Sequence, residues 1–196
     1  RIRPTVAEGE RIRQVPTGEM QELSGASAPV QTFMAAWRAI RGDRLVPRKV
    51  DFDPISVPRL LPNLWIYRYD PQADDFTCTL AGEAVNKSWG GSIRGKRLRE
   101  VVGDANHPRA LSRWRAIIET PLVQYGRVRT DRPAHDDGLV EAERLILPFA
   151  GADDAIRDVI GLSLYSYSQT NHALTPPVCT DVVQIPCVEI PPLATS

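Results

Sequence analysis

The 196-residue sequence predicts an α+β domain: one five-stranded antiparallel sheet, short helices gathered on one of its faces, and a further helix ahead of it. Three observations carry this. Residues 64–70 and 76–82 alternate with period two around a turn-forming "DPQADD". A second group of strand-like runs, 122–130, 139–149 and 159–167, is joined by "DRPAHDDG" and "AGADDAIRD", both rich in turn formers. Between the two groups lie only short helical patterns. Short polar connections make consecutive strands antiparallel neighbours, and helices confined between them form one layer.

The elements follow in order. Residues 1–28 are polar and weakly periodic and read as a loosely ordered arm. Ser27 and Pro29 are a capping hydroxyl and a first-turn proline, and Phe33, Trp37 and Ile40 then repeat at helical spacing. Gly42 ends that helix after Arg38 and Arg41, cations suited to a helix C-terminus. Pro47, Pro54, Pro58 and Pro62 stiffen the connection to the first strand, with Leu60 and Leu61 as its anchors.

In the first strand Leu64, Ile66 and Arg68 face one way and Trp65, Tyr67 and Tyr69 the other. Phe76, Cys78 and Leu80 alternate with Thr77, Thr79 and Ala81 in the second. Residues 83–89 and "SIRGKRLREVV" read as short helical pieces that only packing can hold. Pro108 opens a longer helix with Leu111, Trp114, Ile117 and Ile118 on one face and Arg109, Arg113 and Arg115 toward water. Glu141 and Glu143 place a solvated face on the middle strand of the second group. The proline-rich end reads as an extended tail with Val182, Val183, Ile185 and Val188 as anchors. The division is an arm at 1–28, a domain at 29–168 and an extension at 169–196.

Charge and length exclude several classes. Basic and acidic residues balance at 24 each, so no long-range field favours nucleic acid or an anionic membrane. No run of about 18 apolar residues is present to span a bilayer. The first twenty residues lack the apolar core of a signal peptide, and the cysteines, Cys78, Cys179 and Cys187, are odd in number without a C-x-x-C. A reducing, cytoplasmic setting is the expectation.

The ordered set "FMAAWRAIRGDRLVPRKVDFDPISVPRLLPNLWIYRYD", "FTCTLAGEAVNKSWGGSIRGKRLREVV" and "ERLILPFAGADDAIRDVIGLSLY" resembles the single-domain PAS family found mainly in alphaproteobacteria. The resemblance covers residues 33 to about 166, two-thirds of the chain. It implies a sheet of order 2-1-5-4-3 with a central cavity under the helices, and a sensory or regulatory role in signal transduction. It does not name a ligand.

The chemistry-bearing residues form no catalytic set. Haem needs an axial ligand, and the candidates are His107, His135 and His172. His107 lies near where haem-binding PAS relatives present their histidine, but beside Asn106 and Pro108 it reads as part of a helix start. Cys179 and Cys187 lack the spacing and companions of a zinc site. Cys78 sits on a strand, whereas light-sensing flavin relatives carry their reactive cysteine on the helical side. "GGSIRGK" lacks the strand–loop–helix setting of a phosphate loop, and three scattered histidines support no triad. No metal, cofactor or enzymatic activity is expected.

Two surfaces remain. Trp65, Ile66, Cys78, Leu80, Trp89, Leu98, Trp114, Ile118, Leu145, Leu162 and Leu164 are the candidates to line a cavity between sheet and helices. A buried tryptophan needs a partner for its indole N–H, so Trp89 and Trp114 favour a pocket marked by polar groups. Phe33, Trp37 and Ile40, with Tyr125, Tyr165 and Tyr167 on the sheet face that the later helices leave uncovered, are the candidates for a homodimer interface; the N-terminal helix covers that face either from its own chain or exchanged with a partner. The expected role is a non-enzymatic module acting through an unidentified protein partner, with a small-molecule ligand as an accompanying possibility. The alternative is a haem-type or other small-molecule sensor whose ligand is the main point.

Overall fold

The computed structural model describes residues 11–14, 23, 25–128, 139–167 and 181–192. Strands β2 (Leu64–Asp70) and β3 (Asp75–Ala81) come first in the expected sheet. Helices α2 (Glu83–Ser88), α3 (Leu98–Val102) and α4 (His107–Glu119) follow. Strands β4 (Leu122–Val128), β5 (Leu139–Ala150) and β6 (Ile156–Tyr167) complete it. Their spatial order, β3-β2-β6-β5-β4, is the 2-1-5-4-3 arrangement, antiparallel throughout.

Two further strands extend that sheet beyond β4. Strand β7 (Asp181–Pro186) pairs antiparallel with β4, and β1 (Arg11–Gln14) pairs parallel with β7. Val182, Val183 and Ile185 are buried as expected of anchors, but Val188 is 79% exposed. It sits in the one-turn 3-10 helix at Cys187–Glu189, whose buried residue is Cys187.

Helix α1 (Ala28–Arg41) lies on the sheet face opposite α2–α4. Phe33 and Trp37 are fully buried there, in one cluster with Leu64, Leu145, Leu162 and Val183. The Trp37 indole donates to the Pro148 carbonyl at 3.0 Å, so its one polar atom is satisfied inside the core. The Ser27 backbone N–H donates to Glu143 at 3.0 Å, which ties the helix start to β5. At the other end buried Arg41 donates to the Cys187 and Ile190 carbonyls at 3.1 and 2.6 Å and lies over Trp37, so α1 also clamps the segment after β7. Both faces of the sheet are therefore covered within one chain. Of the two covers expected for this face, the chain's own helix or a partner's, the structure shows its own.

Glu143 shows how that attachment responds to pH. Burial raises its carboxyl, but hydrogen bonds from Ser27 and Tyr125 and the nearby Arg127 guanidinium outweigh it and hold the group below its ordinary range. A carboxyl depressed in the folded state stabilises above its unfolded pKa of about 4.3, and that contribution fades as pH falls through the folded value. Glu143→Gln should thus destabilise at pH 7 and lose that penalty at low pH. Urea titrations of both proteins across this window check it; a gap independent of pH would remove the ionised carboxylate from the account.

Elsewhere the sequence is followed with local changes. Asp53 caps its short turn by accepting from the Ile55 N–H at 2.9 Å. Leu60 is buried, whereas Leu61 is partly exposed because the six-residue 3-10 segment Pro58–Asn63 turns it outward. Residues 92–97 are not helical: Cys78 N–H donates to the Lys96 carbonyl and Gly95 N–H to that of Cys78, so this stretch runs along the outer edge of β3.

Candidate functional site

The site is set by which side chains β2, β5 and β6 turn toward the helices. Trp65 pairs with Gly161 and Ile146 with Gly161 across the same face, while Ile66, Leu145 and Leu162 point to the α1 side. Gly161 is required by close approach: a Cβ there would fall within the Trp65 ring. Gly161→Ala should therefore expel the indole and cost about 1–3 kcal/mol through overpacking. Urea unfolding with Trp fluorescence reports this, and unchanged stability and spectrum would refute the packing.

Trp114 from α4 is the centre of a ring cluster. It stacks on Trp65 with centroids 5.0 Å apart and planes 9° from parallel, and meets Tyr67 and Phe76 edge-on at 4.9 and 5.4 Å. Beside it lies a cavity of about 70 Å³, lined by the Trp114, Trp65 and Tyr67 rings, by Val85 and Trp89 of the α2 region, by Leu98 and Val101 of α3, and by Arg113, Arg144 and Tyr165. Ser163, fully buried on β6, accepts from Trp65 Nε1 at 2.9 Å and from Arg144 Nε at 3.0 Å. Its two lone pairs are thus used by groups on two neighbouring strands.

Of the expected cavity residues, Trp65, Trp89, Leu98 and Trp114 line it, and Cys78 and Ile118 pack in the same cluster behind it. Ile66, Leu145, Leu162 and Leu164 lie on the other face, with α1. Apolar character alone marks them in the sequence, and in strands buried on both faces that character does not distinguish the faces. A bulge between Cys78 and Leu80 pairs Leu80 with Ile66, so it turns to the α1 face, where it is 37% exposed near the end of β3.

Of the expected interface residues, Phe33, Trp37 and Tyr125 are buried within the chain and Ile40 packs partly against them. Tyr165 lines the cavity on the opposite face, and exposed Tyr167 lies under the Lys87 ammonium at 6.0 Å. The sequence reading had Arg113 toward water and attached no role to Arg144 or Ser163. Polar residues inside "ERLIL" and "GLSLY" were the signal that marks this face.

Burial raises the thiol of Cys78, and its Sγ donates to the Leu80 carbonyl at 3.3 Å, so it remains a protonated, unreactive group. Burial also raises the Tyr67 phenol beside it. His107 does not reach the cavity. It is buried at the start of α4 with Nε2 3.1 Å from Asp75 Oδ1, an oxygen that also accepts from the Phe76 N–H at 2.8 Å. This pair floors a separate polar cleft of about 530 Å³ with Ala73, Asp74, Arg97, Arg99 and Glu100.

A haem does not fit these residues: the histidine is committed to Asp75, the cleft it lines is walled by charged side chains in place of the apolar ones a haem face needs, and the aromatic cavity is far below the roughly 300–1,000 Å³ of pockets for larger ligands. His135, His172 and Cys179 lie outside the described residues. Among the described residues no cluster of His, Cys, Asp or Glu is placed to hold a metal, and no helix is long and apolar enough to cross a membrane.

A sheet in 2-1-5-4-3 order, helices between its second and third strands, and a central cavity beneath them define a sensory α+β module. The PAS domain family model matches residues 26–164, from the turn before α1 to the middle of β6, and the chain belongs to that family. Among solved structures, one described as "Structure of an RNA-binding Light-Oxygen-Voltage Receptor" is similar at 19% identity, with a TM-score of 0.39 over 57% of this chain and 32% of that one. The present chain spans about a third of that chain's length. No curated protein matches.

Proposed function

We propose that this PAS domain is a non-enzymatic sensory module in which a small molecule enters the aromatic cavity and the resulting shift of α4 is read by a partner protein. The observation that supports it is the placement of Trp114. The ring both bounds the cavity and forms the main packing of α4 on the sheet, so an occupant displaces a helix and not only a side chain. Short helices held by packing, such as α2 and α3, are the elements that open at low free energy. Native mass spectrometry of gently purified protein should show a bound mass that denaturation releases. Bare protein from several expression hosts, with no small molecule shifting its melting temperature, would leave protein contact alone as the function.

That second reading has its own support, because stacked rings already fill most of the space that a larger occupant would need. A homodimer remains part of the proposal only through surfaces other than the Phe33–Trp37 stripe, unless α1 is exchanged between copies and makes the same contacts on a partner's sheet.

A further inference from the structure

We infer that the cavity binds a compact organic anion, a short-chain monocarboxylate of two to four carbons, with Arg144 as the group that takes its charge; this rests on the ligand-sensing reading above. The first ground is charge. The charged side chains lining the cavity are the guanidiniums of Arg113 and Arg144, and the lining contains no carboxylate. An arginine offers five N–H donors, and the hydrogen bond that Arg144 makes among the described residues uses Nε alone, toward the neutral Ser163 hydroxyl. Arg144 is half-buried and has no acidic partner among the described residues, and such a guanidinium is matched by a carboxylate, whose two oxygens fit its planar fork.

The second ground is an orphaned polar atom. The Tyr165 hydroxyl is buried in the cavity wall without a hydrogen-bond partner among the described residues, on the β6 residue two beyond Ser163. A buried unsatisfied hydroxyl is unfavourable, and a carboxylate oxygen accepts from it readily. The hydroxyl and the guanidinium lie on neighbouring strands, Arg144 paired with Ser163 and Ala142 with Tyr165, so both project from one patch of sheet.

The third ground is size and the remaining wall. The rest of the wall is built mainly from Trp65, Trp89, Trp114, Val85, Leu98 and Val101, which suit an uncharged tail. The cavity, about 70 Å³, is roughly half the size of the about 150 Å³ one that encloses a benzene ring. It opens to solvent on one side, so it holds the carboxylate head while a short tail lies in its mouth. A carboxylate with a short alkyl or oxo tail meets all three conditions. An aromatic acid or a dicarboxylate is too large or leaves a second charge against tryptophan.

The test uses the full chain, with propionate and pyruvate as anionic probes and propionamide as the neutral isostere of propionate. Binding is read by the shift of the Trp65 indole N–H resonance in ¹H–¹⁵N spectra and by melting temperature. Propionate or pyruvate should shift that resonance saturably, propionamide should bind at least tenfold more weakly, and Tyr165→Phe should weaken the anion several-fold with the fold intact. Arg144→Gln should remove the charge preference; if that variant does not fold, the wild-type comparison and Tyr165→Phe decide. Equal binding of propionate and propionamide would overturn the anion inference and leave a ligand-binding cavity. No response to any of the three probes would overturn it as well, and with an empty native mass spectrum would sink the ligand reading itself.

Discussion

Trp37→Ala is expected to destabilise the domain by about 3–5 kcal/mol, the loss typical of a large aromatic removed from a core that closes only partly over the gap. The side chain is fully buried, contacts the cluster built from β2, β4, β5, β6 and β7, and donates to the Pro148 carbonyl, which the substitution leaves without that donor. The double variant Phe33→Asp with Trp37→Asp should go further and fail to fold, since two carboxylates would enter an apolar layer. Had the helix stripe formed a dimer contact, the same double variant would have yielded a folded monomer. Circular dichroism and light scattering separate these outcomes, and a folded monomeric double variant would show that α1 is not part of the chain's own core.

That contrast marks what the sequence could and could not disclose. The strands were legible because 64–70 and 76–82 alternate with period two and the later runs are bounded by turn formers. The helix at 28–41 was legible from Phe33, Trp37 and Ile40, but periodicity tells which face is apolar and not what covers it. Only the long-range contacts of Trp37 with β5 settle that. Strand β1 is not legible because four residues, "RIRQ", are too few for alternation to stand out from chance, and its partner lies about 170 residues away. The cavity was half legible. In β5 and β6 both faces are apolar, so Leu145 and Leu162 looked as suitable as Ile146; the discriminating residues were the misfits, Arg144, Gly161 and Ser163, which share the face toward the helices.

Trp114→Ala should lose about 3–5 kcal/mol as well, but with a different consequence. Its ring is shared by Trp65, Tyr67 and Phe76, whereas α4 is otherwise held on the sheet by Ala110, Ile117 and Ile118. Stability should therefore fall while α1 and its sheet face persist, and protection from hydrogen exchange should drop first in α3 and α4. Coupling with Trp65→Ala in a double-mutant cycle should amount to about 0.5–1.5 kcal/mol, the range for a stacked aromatic pair beyond its area. The same vacancy enlarges the cavity beside Arg144 and Tyr165, so the variant should accept bulkier carboxylates than propionate if the pocket is their site. A loss below 1 kcal/mol in denaturant titration, or exchange that rises in α1 before α4, would show that Trp114 does not couple the cavity to the helix.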